Sequence, residues 1–270
     1  MTFQHEKRTA IFISISILFL LACDATFSVL LPTPTSPAPT ESATETSAPL
    51  VSQELTLVSV PFIETNPGSN FPSYSITAQT PQLTSSDDPR VLAFNQRLSN
   101  LVTKEVDAYR KSFQELPVTP NSNGSFLEAT YTIVSQIGDL WSFKFDFSFY
   151  ADTAAHPGLN SLTLNYDLGR GRELTLADLF LPNSNYLEVI SAYCVNELRK
   201  KPYAESSTLE GAQPTSENYR NWNIEPGGLL ITFDAYQVAP GAAGPQKIGV
   251  PYTELTSIIN PEGPLAVVLR

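Results

Sequence analysis

The chain is poor in the residues that carry most protein chemistry. It has two cysteines, two histidines and one methionine among 270 residues. Cys23 falls in an N-terminal signal, which leaves Cys194 by itself, so no intramolecular disulfide is expected and stability must come from a core. Cys194 lies on the apolar side of a predicted helix and reads as a small buried hydrophobe rather than a reactive thiol. A zinc site wants three or four His, Cys or carboxylate ligands. Here it would have to join His156 to Asp146, Asp152 and Asp167, in acidic segments of the kind that ordinarily meet water. No metal and no other cofactor is expected. The chain has no Gly-x-Ser-x-Gly elbow, no P-loop and no Gly-x-Gly-x-x-Gly, so nothing points to a hydrolase elbow or to nucleotide. Positive charge is scarce too, with 16 Lys and Arg against 27 Asp and Glu, a net charge of −11. Nucleic acid wants basic patches, so it is not expected as a partner. The acidity permits a cationic protein partner, and equally serves plain solubility.

Proline is plentiful, and it is concentrated near a signal. Lys7 and Arg8 precede an apolar run, Ala10–Ala22, that is short for a membrane span. The run ends Leu20-Leu21-Ala22-Cys23, similar to a bacterial lipobox, in which the thiol after a small residue is lipidated once residues 1–22 are removed. Lipid on Cys23 would anchor the mature chain to the membrane, facing the extracytoplasmic side. An ordinary secretory signal with a chance cysteine, or an uncleaved anchor, is the competing reading. Residues 23–53 then follow, dominated by Pro, Ser and Thr, as in Pro32-Thr33-Pro34-Thr35-Ser36-Pro37. Such a segment has too little to bury to offset its ordering entropy, so a disordered tether is expected.

The remainder reads as α+β. Leu55–Ile63 holds Pro61 and is predicted to be an edge strand. Tyr74–Ala78 is a second strand, closed by Pro81. Asp88 and Pro89 open a long helix whose stripe is Val91, Phe94, Leu98, Leu101, Val102, Val106, Tyr109 and Phe113. Glu128–Ile137 and Leu140–Tyr150 form a hairpin about Gly138-Asp139. In the second of these strands Trp141, Phe143, Phe145, Phe147 and Phe149 fall on one face, and the opposite face tolerates water. Leu162–Leu168 alternates as a further strand, and Gly169–Gly171 turns the chain into Glu173–Phe180. A second helix, Tyr186–Lys200, starts with a capping-box pattern at Asn185 and Glu188. Trp222–Ile224, Leu229–Phe233, Lys247–Val250 and Leu265–Leu269 read as strands, and Pro251–Ile259 as a helical turn. The expected architecture is a mainly antiparallel sheet with two principal helices packed on it.

Two stretches stand out as candidate ligand contacts. Ala155-His156-Pro157-Gly158 is a loop sequence whose histidine either binds backbone carbonyls and shapes the loop or meets a ligand. Asp234–Gly244 is rich in small residues, with Tyr236, Pro240 and Gly244 forming a surface open to close approach. It is otherwise a wide turn with Tyr236 packed on its own core. No catalytic residue is assigned. A Ser–His–Asp set using His156 can be drawn, but serines are so common that the spacing carries little weight.

Ser148–Phe180, with its Ala-His-Pro loop and Glu173-Leu174-Thr175-Leu176-Ala177-Asp178-Leu179-Phe180, resembles the extracytoplasmic domain of the RsiV family of anti-sigma factors. Asn223–Tyr236 and Val238–Gly244, followed by Ile248–Leu255, look like its second half. Similar domains accompany peptidoglycan deacetylases, and the region from Tyr74 through the first helix is similar to the smaller domain that precedes it there. The resemblance implies an N-terminal domain over residues 54–126 and a C-terminal one over 127–270. It also implies a binding function, since the anti-sigma domain binds lysozyme, a cationic muramidase. His156, Pro157, Tyr236, Pro240 and Gly244 become the expected contacts, with a muramidase or cell-wall glycan as partner. The chain departs from the family at Ala154 and Ala155, where glycines precede the histidine, and at Gly241, where an aromatic follows Ala-Pro. No sigma-binding segment precedes the signal and no deacetylase domain follows, which implies binding without transmission unless a partner transmits. Two other functions stay open. One is a cell-wall hydrolase or deacetylase using His156, and the other is a structural envelope lipoprotein with a membrane-protein partner.

Overall fold

The computed structural model describes residues 55–67, 72–84, 86–117, 124–152, 154–204 and 209–269. The expected signal, Cys23 and the whole tether lie outside them. The fold is α+β, with a mixed six-stranded sheet, a three-stranded sheet and three helices.

The first sheet follows chain order: β1 (Thr56–Asn66), β2 (Tyr74–Thr84), β3 (Ser125–Ile137), β4 (Leu140–Tyr150), β5 (Gly158–Asp167) and β6 (Arg172–Glu173). All neighbours are antiparallel except β2 and β3, which pair in parallel from Tyr74–Ser125 to Ala78–Ala129. A parallel pair needs a crossover, and helix α1 (Pro89–Gln114) supplies it. Asp88 caps α1 as predicted, its side chain accepting from the Arg90 amide at 2.8 Å. The helix buries Val91, Phe94, Leu98, Leu101, Val102, Val106 and Phe113 against Phe143, Phe145 and Phe147 of β4 and their neighbours. Phe94 meets Tyr166 edge to face at 4.9 Å. Tyr109 packs on this core only partly buried.

Strand β2 does not close at Pro81; it runs to Thr84. Pairing with β3 stops at Ala78, so beyond that point β2 has one free side, where a residue without an N–H is tolerated.

A second core lies C-terminal to the first. Helix α2 (Tyr186–Leu198) packs Ile190, Cys194 and Leu198 against β7 (Trp222–Glu225), β8 (Gly228–Phe233) and β9 (Gln246–Pro251), with the short helix α3 (Tyr252–Leu255) beside them. Glu173–Phe180 is a strand end at Glu173 and then a 3-10 helix, Leu176–Leu179. The Asp178 carboxylate draws it round by accepting from the Thr175 amide and hydroxyl, each at 2.7 Å. Asn185 makes no side-chain cap, because its ψ of 43° is not the extended conformation an N-cap adopts. Leu265–Leu269 is not a strand: Pro264 starts a 3-10 turn, Pro264–Val267, that buries Leu265.

Candidate functional site

The two sheets meet through polar side chains, which corrects the expectation that the non-aromatic face of β4 tolerates water. Ser142 is 1% exposed and Asn165 2%. β7 is an edge of its sheet, and an edge strand carries unpaired backbone groups. Side chains of the larger sheet satisfy them. Asn165 donates to the Trp222 carbonyl at 2.8 Å, and its Oδ1 accepts from the Ile224 amide at 3.2 Å. Ser142 Oγ accepts from Ile224 N at 3.0 Å and donates to Asn165 at 2.6 Å. Thr163 Oγ1 accepts from the Trp222 amide at 3.1 Å. Asn223, fully buried, reaches back to Ser142 Oγ and the Phe143 carbonyl at 2.8 and 2.9 Å. Two oxygens in this part of the small sheet, Asn223 Oδ1 and Thr232 Oγ1, have no hydrogen-bond partner among the described residues.

Away from β7 the polar face opens into a groove of about 440 Å³. Its floor holds Lys144, 8% exposed, ion-paired with Asp146 on the same face of β4. Asp146 also accepts from Ser161 Oγ at 2.7 Å. Glu128, Thr130, Ser148 and Leu159 line it from the larger sheet, and Pro245 and Lys247 from the start of β9 and the residue before it. Glu128, Lys144 and Lys247 were not singled out from the sequence, and Asp146 was weighed only as one of the carboxylates a zinc site would need. The one available signal was a lysine and an aspartate inside an aromatic-rich strand.

The loop between β8 and β9 is built to hold Tyr236 outward. Asp234 and Gln237 close a turn, with Gln237 N donating to the Asp234 carbonyl at 3.1 Å and Gln237 Oε1 accepting from Asp234 N at 3.0 Å. The Gln237 amide then donates to the Gly211 and Asn218 carbonyls, both at 2.9 Å, pinning the turn to the neighbouring segment. Arg220 and Asn221 hold the Asp234 carboxylate. Val238 and Ala239 are buried behind the turn. Tyr236 sits at φ 68° with 69% of its surface exposed, so it is not packed on the core. Its ring lies on Gly241: a Cβ there would be 2.0 Å from the ring. Pro240 is exposed, and Gly244, at φ 66°, takes the loop into β9.

His156 and Pro157 are exposed on the other loop. His156 Nδ1 lies 3.0 Å from the Pro157 carbonyl, which makes it the donor nitrogen and gives the ring a loop-shaping contact. No carboxylate or hydroxyl side chain bonds the ring among the described residues. Leu159, in the strand that follows the His156 loop, and Pro245, next to Gly244, line the groove, whereas His156, Pro157, Tyr236, Pro240 and Gly244 themselves do not. Among the described residues no group of three His, Cys, Asp or Glu is placed to hold a metal ion. Cys194 is enclosed in the second core, and burial pushes its thiol up to about 12.

The Tyr236 loop and its flanking strands fall in one recognisable segment. Residues 177–253 match a family described as proteins of unknown function, DUF3298. The DUF3298 segment carries Tyr236, Pro240, Gly244 and Lys247, while His156, Lys144, Asp146 and Glu128 precede it. Over 166 residues the chain is 28% identical to the peptidoglycan-N-acetylmuramic acid deacetylase PdaC of Bacillus subtilis, covering 60% of this chain and 35% of that protein. Over 104 residues it is 24% identical to the immunogenic protein MPT64 of Mycobacterium tuberculosis, covering 38% and 46%. The chain thus spans between a third and a half of the length of these relatives. Two solved structures share the fold. A DUF3298 family member from Bacteroides fragilis has a TM-score of 0.55 at 14% identity, covering 79% of this chain and 96% of its own. A DUF3298 family protein from Pseudomonas aeruginosa has a TM-score of 0.54 at 17% identity, covering 77% and 96%.

Proposed function

We propose that this protein is a binding module of the bacterial cell envelope, anchored by lipid on Cys23 and facing the extracytoplasmic side, that captures a cationic muramidase through the Tyr236 loop. The observation that carries the reading is Tyr236 itself. A large aromatic is held outward in a left-handed backbone conformation by a turn pinned at Asp234 and Gln237. Pre-ordered aromatics are favoured anchors in protein interfaces because little freedom is lost when they are covered. The net charge of −11 suits a basic partner, and so does the RsiV resemblance. Similarity to a peptidoglycan deacetylase supports a place at the cell wall. His156 enters as a shaper of the adjoining rim. Its ring contacts a carbonyl and lacks the hydroxyl or carboxylate partner that a hydrolytic base would use, among the described residues.

Calorimetric titration of a soluble form, beginning after Cys23, with lysozyme at low salt tests the proposal. Saturable binding that Tyr236→Ala weakens by about tenfold or more is the expected result. Absence of binding by the native sequence rejects the muramidase partner. Glycan turnover by the native sequence that His156→Ala abolishes would establish the enzyme reading instead.

A further inference from the structure

The groove on the larger sheet has a charge arrangement that the muramidase reading leaves unused. Its floor pair, Lys144 and Asp146, is internally neutralised, yet the Lys144 ammonium has three N–H groups and Asp146 takes one. The side chain of Lys144 is 10% exposed, so its remaining donors are confined to the groove region. Beside this pair on the same face of the larger sheet is one carboxylate, Glu128, and β9 contributes one ammonium, Lys247. Neither has an ion-pair partner among the described residues, although both line the same groove. The volume, about 440 Å³, lies within the range of roughly 300–1,000 Å³ typical of small-ligand sites.

A purely anionic ligand would meet the carboxylates of Glu128 and Asp146, and a purely cationic one the ammonium groups of Lys144 and Lys247. A ligand carrying both charges can satisfy both free groups. We propose that the groove binds a small zwitterion with a free amine and a free carboxylate, an amino acid or short peptide. The ammonium pairs with Glu128 and the carboxylate with Lys247, with the spare Lys144 donors and the Thr130 and Ser148 hydroxyls serving its polar body. Two sources share this chemistry: free amino acids and the peptide stems of the cell wall. Only the choice of the second source rests on the envelope location proposed above.

Nuclear magnetic resonance titration of the full chain in detergent micelles tests the site with three kinds of probe. The first is D-alanine. The second is the tripeptide L-alanyl-γ-D-glutamyl-meso-diaminopimelate. The third is the same tripeptide with its amines acetylated or its carboxylates amidated. Saturable binding of at least one zwitterionic probe is expected, and blocking either charge should weaken it by about tenfold or more. Glu128→Gln and Lys247→Met should each weaken it by a similar factor while leaving lysozyme binding and the melting temperature unchanged. Preference for the tripeptide assigns the wall stem as source, and equal binding of D-alanine assigns the free amino acid. Binding that survives blocking of either charge overturns the proposal, as does absence of saturable binding by both zwitterions. Tyr236→Ala leaves this site untouched, so failure here and failure of the muramidase reading are separable.

Discussion

At the scale of single residues, Tyr236 and Gly241 act as one unit. A tyrosine at φ 68° costs on the order of 1–3 kcal/mol, and the turn bonds made by Asp234 and Gln237 hold it there. Its ring rests where a side chain at position 241 would be. Gly241→Ala should therefore swing the ring off its support. Because the ring is the exposed end of a movable side chain, stability should fall by less than about 1 kcal/mol, within the usual surface range. Lysozyme affinity should fall with it, and calorimetry beside a urea melt checks both. A loss of several kcal/mol in the melt would show that the ring stabilises the fold instead. Tyr236 was visible in the sequence as a lone aromatic among small residues. Its outward direction was not, because that depends on Gln237 reaching Gly211 and Asn218, residues well separated along the chain.

At the scale of elements, the joint between the sheets is a row of side chains doing the work of a neighbouring strand. Asn165→Ala would strip the Trp222 carbonyl of its side-chain partner and leave the Ser142 hydroxyl without its acceptor, while the Ile224 amide keeps Ser142 Oγ. Each orphaned buried group costs about 1–3 kcal/mol, so a drop of roughly 2–4 kcal/mol is expected in the denaturant midpoint analysis. A change below about 0.5 kcal/mol would mean that water replaces the side chain. The edge strand β1 is tied to α1 by a different device. Arg110 bonds Glu64 at 2.7 Å, and Tyr74 donates to the same carboxylate at 2.9 Å. The Arg110 guanidinium first, and Tyr74 after it, hold the Glu64 carboxyl below its ordinary 4.5 against the opposing effect of burial. A carboxylate lowered in the folded state adds stability above its unfolded pKa and loses it as pH falls through the folded one. Native protein should exceed Glu64→Gln in stability above about pH 5, and the gap should close below about pH 4. A gap that does not change with pH would remove Glu64 from the account.

At the scale of the whole molecule, net charge acts on encounter rather than on fold. A net −11 should speed association with a basic partner at low salt, and the rate should fall as ionic strength rises. Stopped-flow association with lysozyme across a salt series checks this. A rate independent of salt would place the recognition in Tyr236 and its apolar surroundings alone. The described residues contain no helix long and apolar enough to cross a membrane. Lipid attachment at Cys23, as proposed, is checked by metabolic labelling with a fatty-acid probe, and absence of label rejects it.

Periodicity alone determined the elements whose partners lie within their own pattern. The α1 stripe and the aromatic face of β4 are buried as read except at Tyr109 and Phe149, which are partly buried, because a repeat of about 3.6 or 2 residues fixes a face whatever the rest of the chain does. Asp88 before Pro89 marked a helix start for the same local reason. Asn185 had the same kind of signal, and a single backbone angle set by its surroundings undid it. Only the tertiary structure decided the other face of β4. Ser142, Lys144 and Asp146 read as solvent-facing, since polarity in an alternating strand does not say whether its partner is water or another strand's backbone. Packing β7 across that face turned Ser142 into a structural joint, and leaving the far end open turned Lys144 and Asp146 into the floor of a groove.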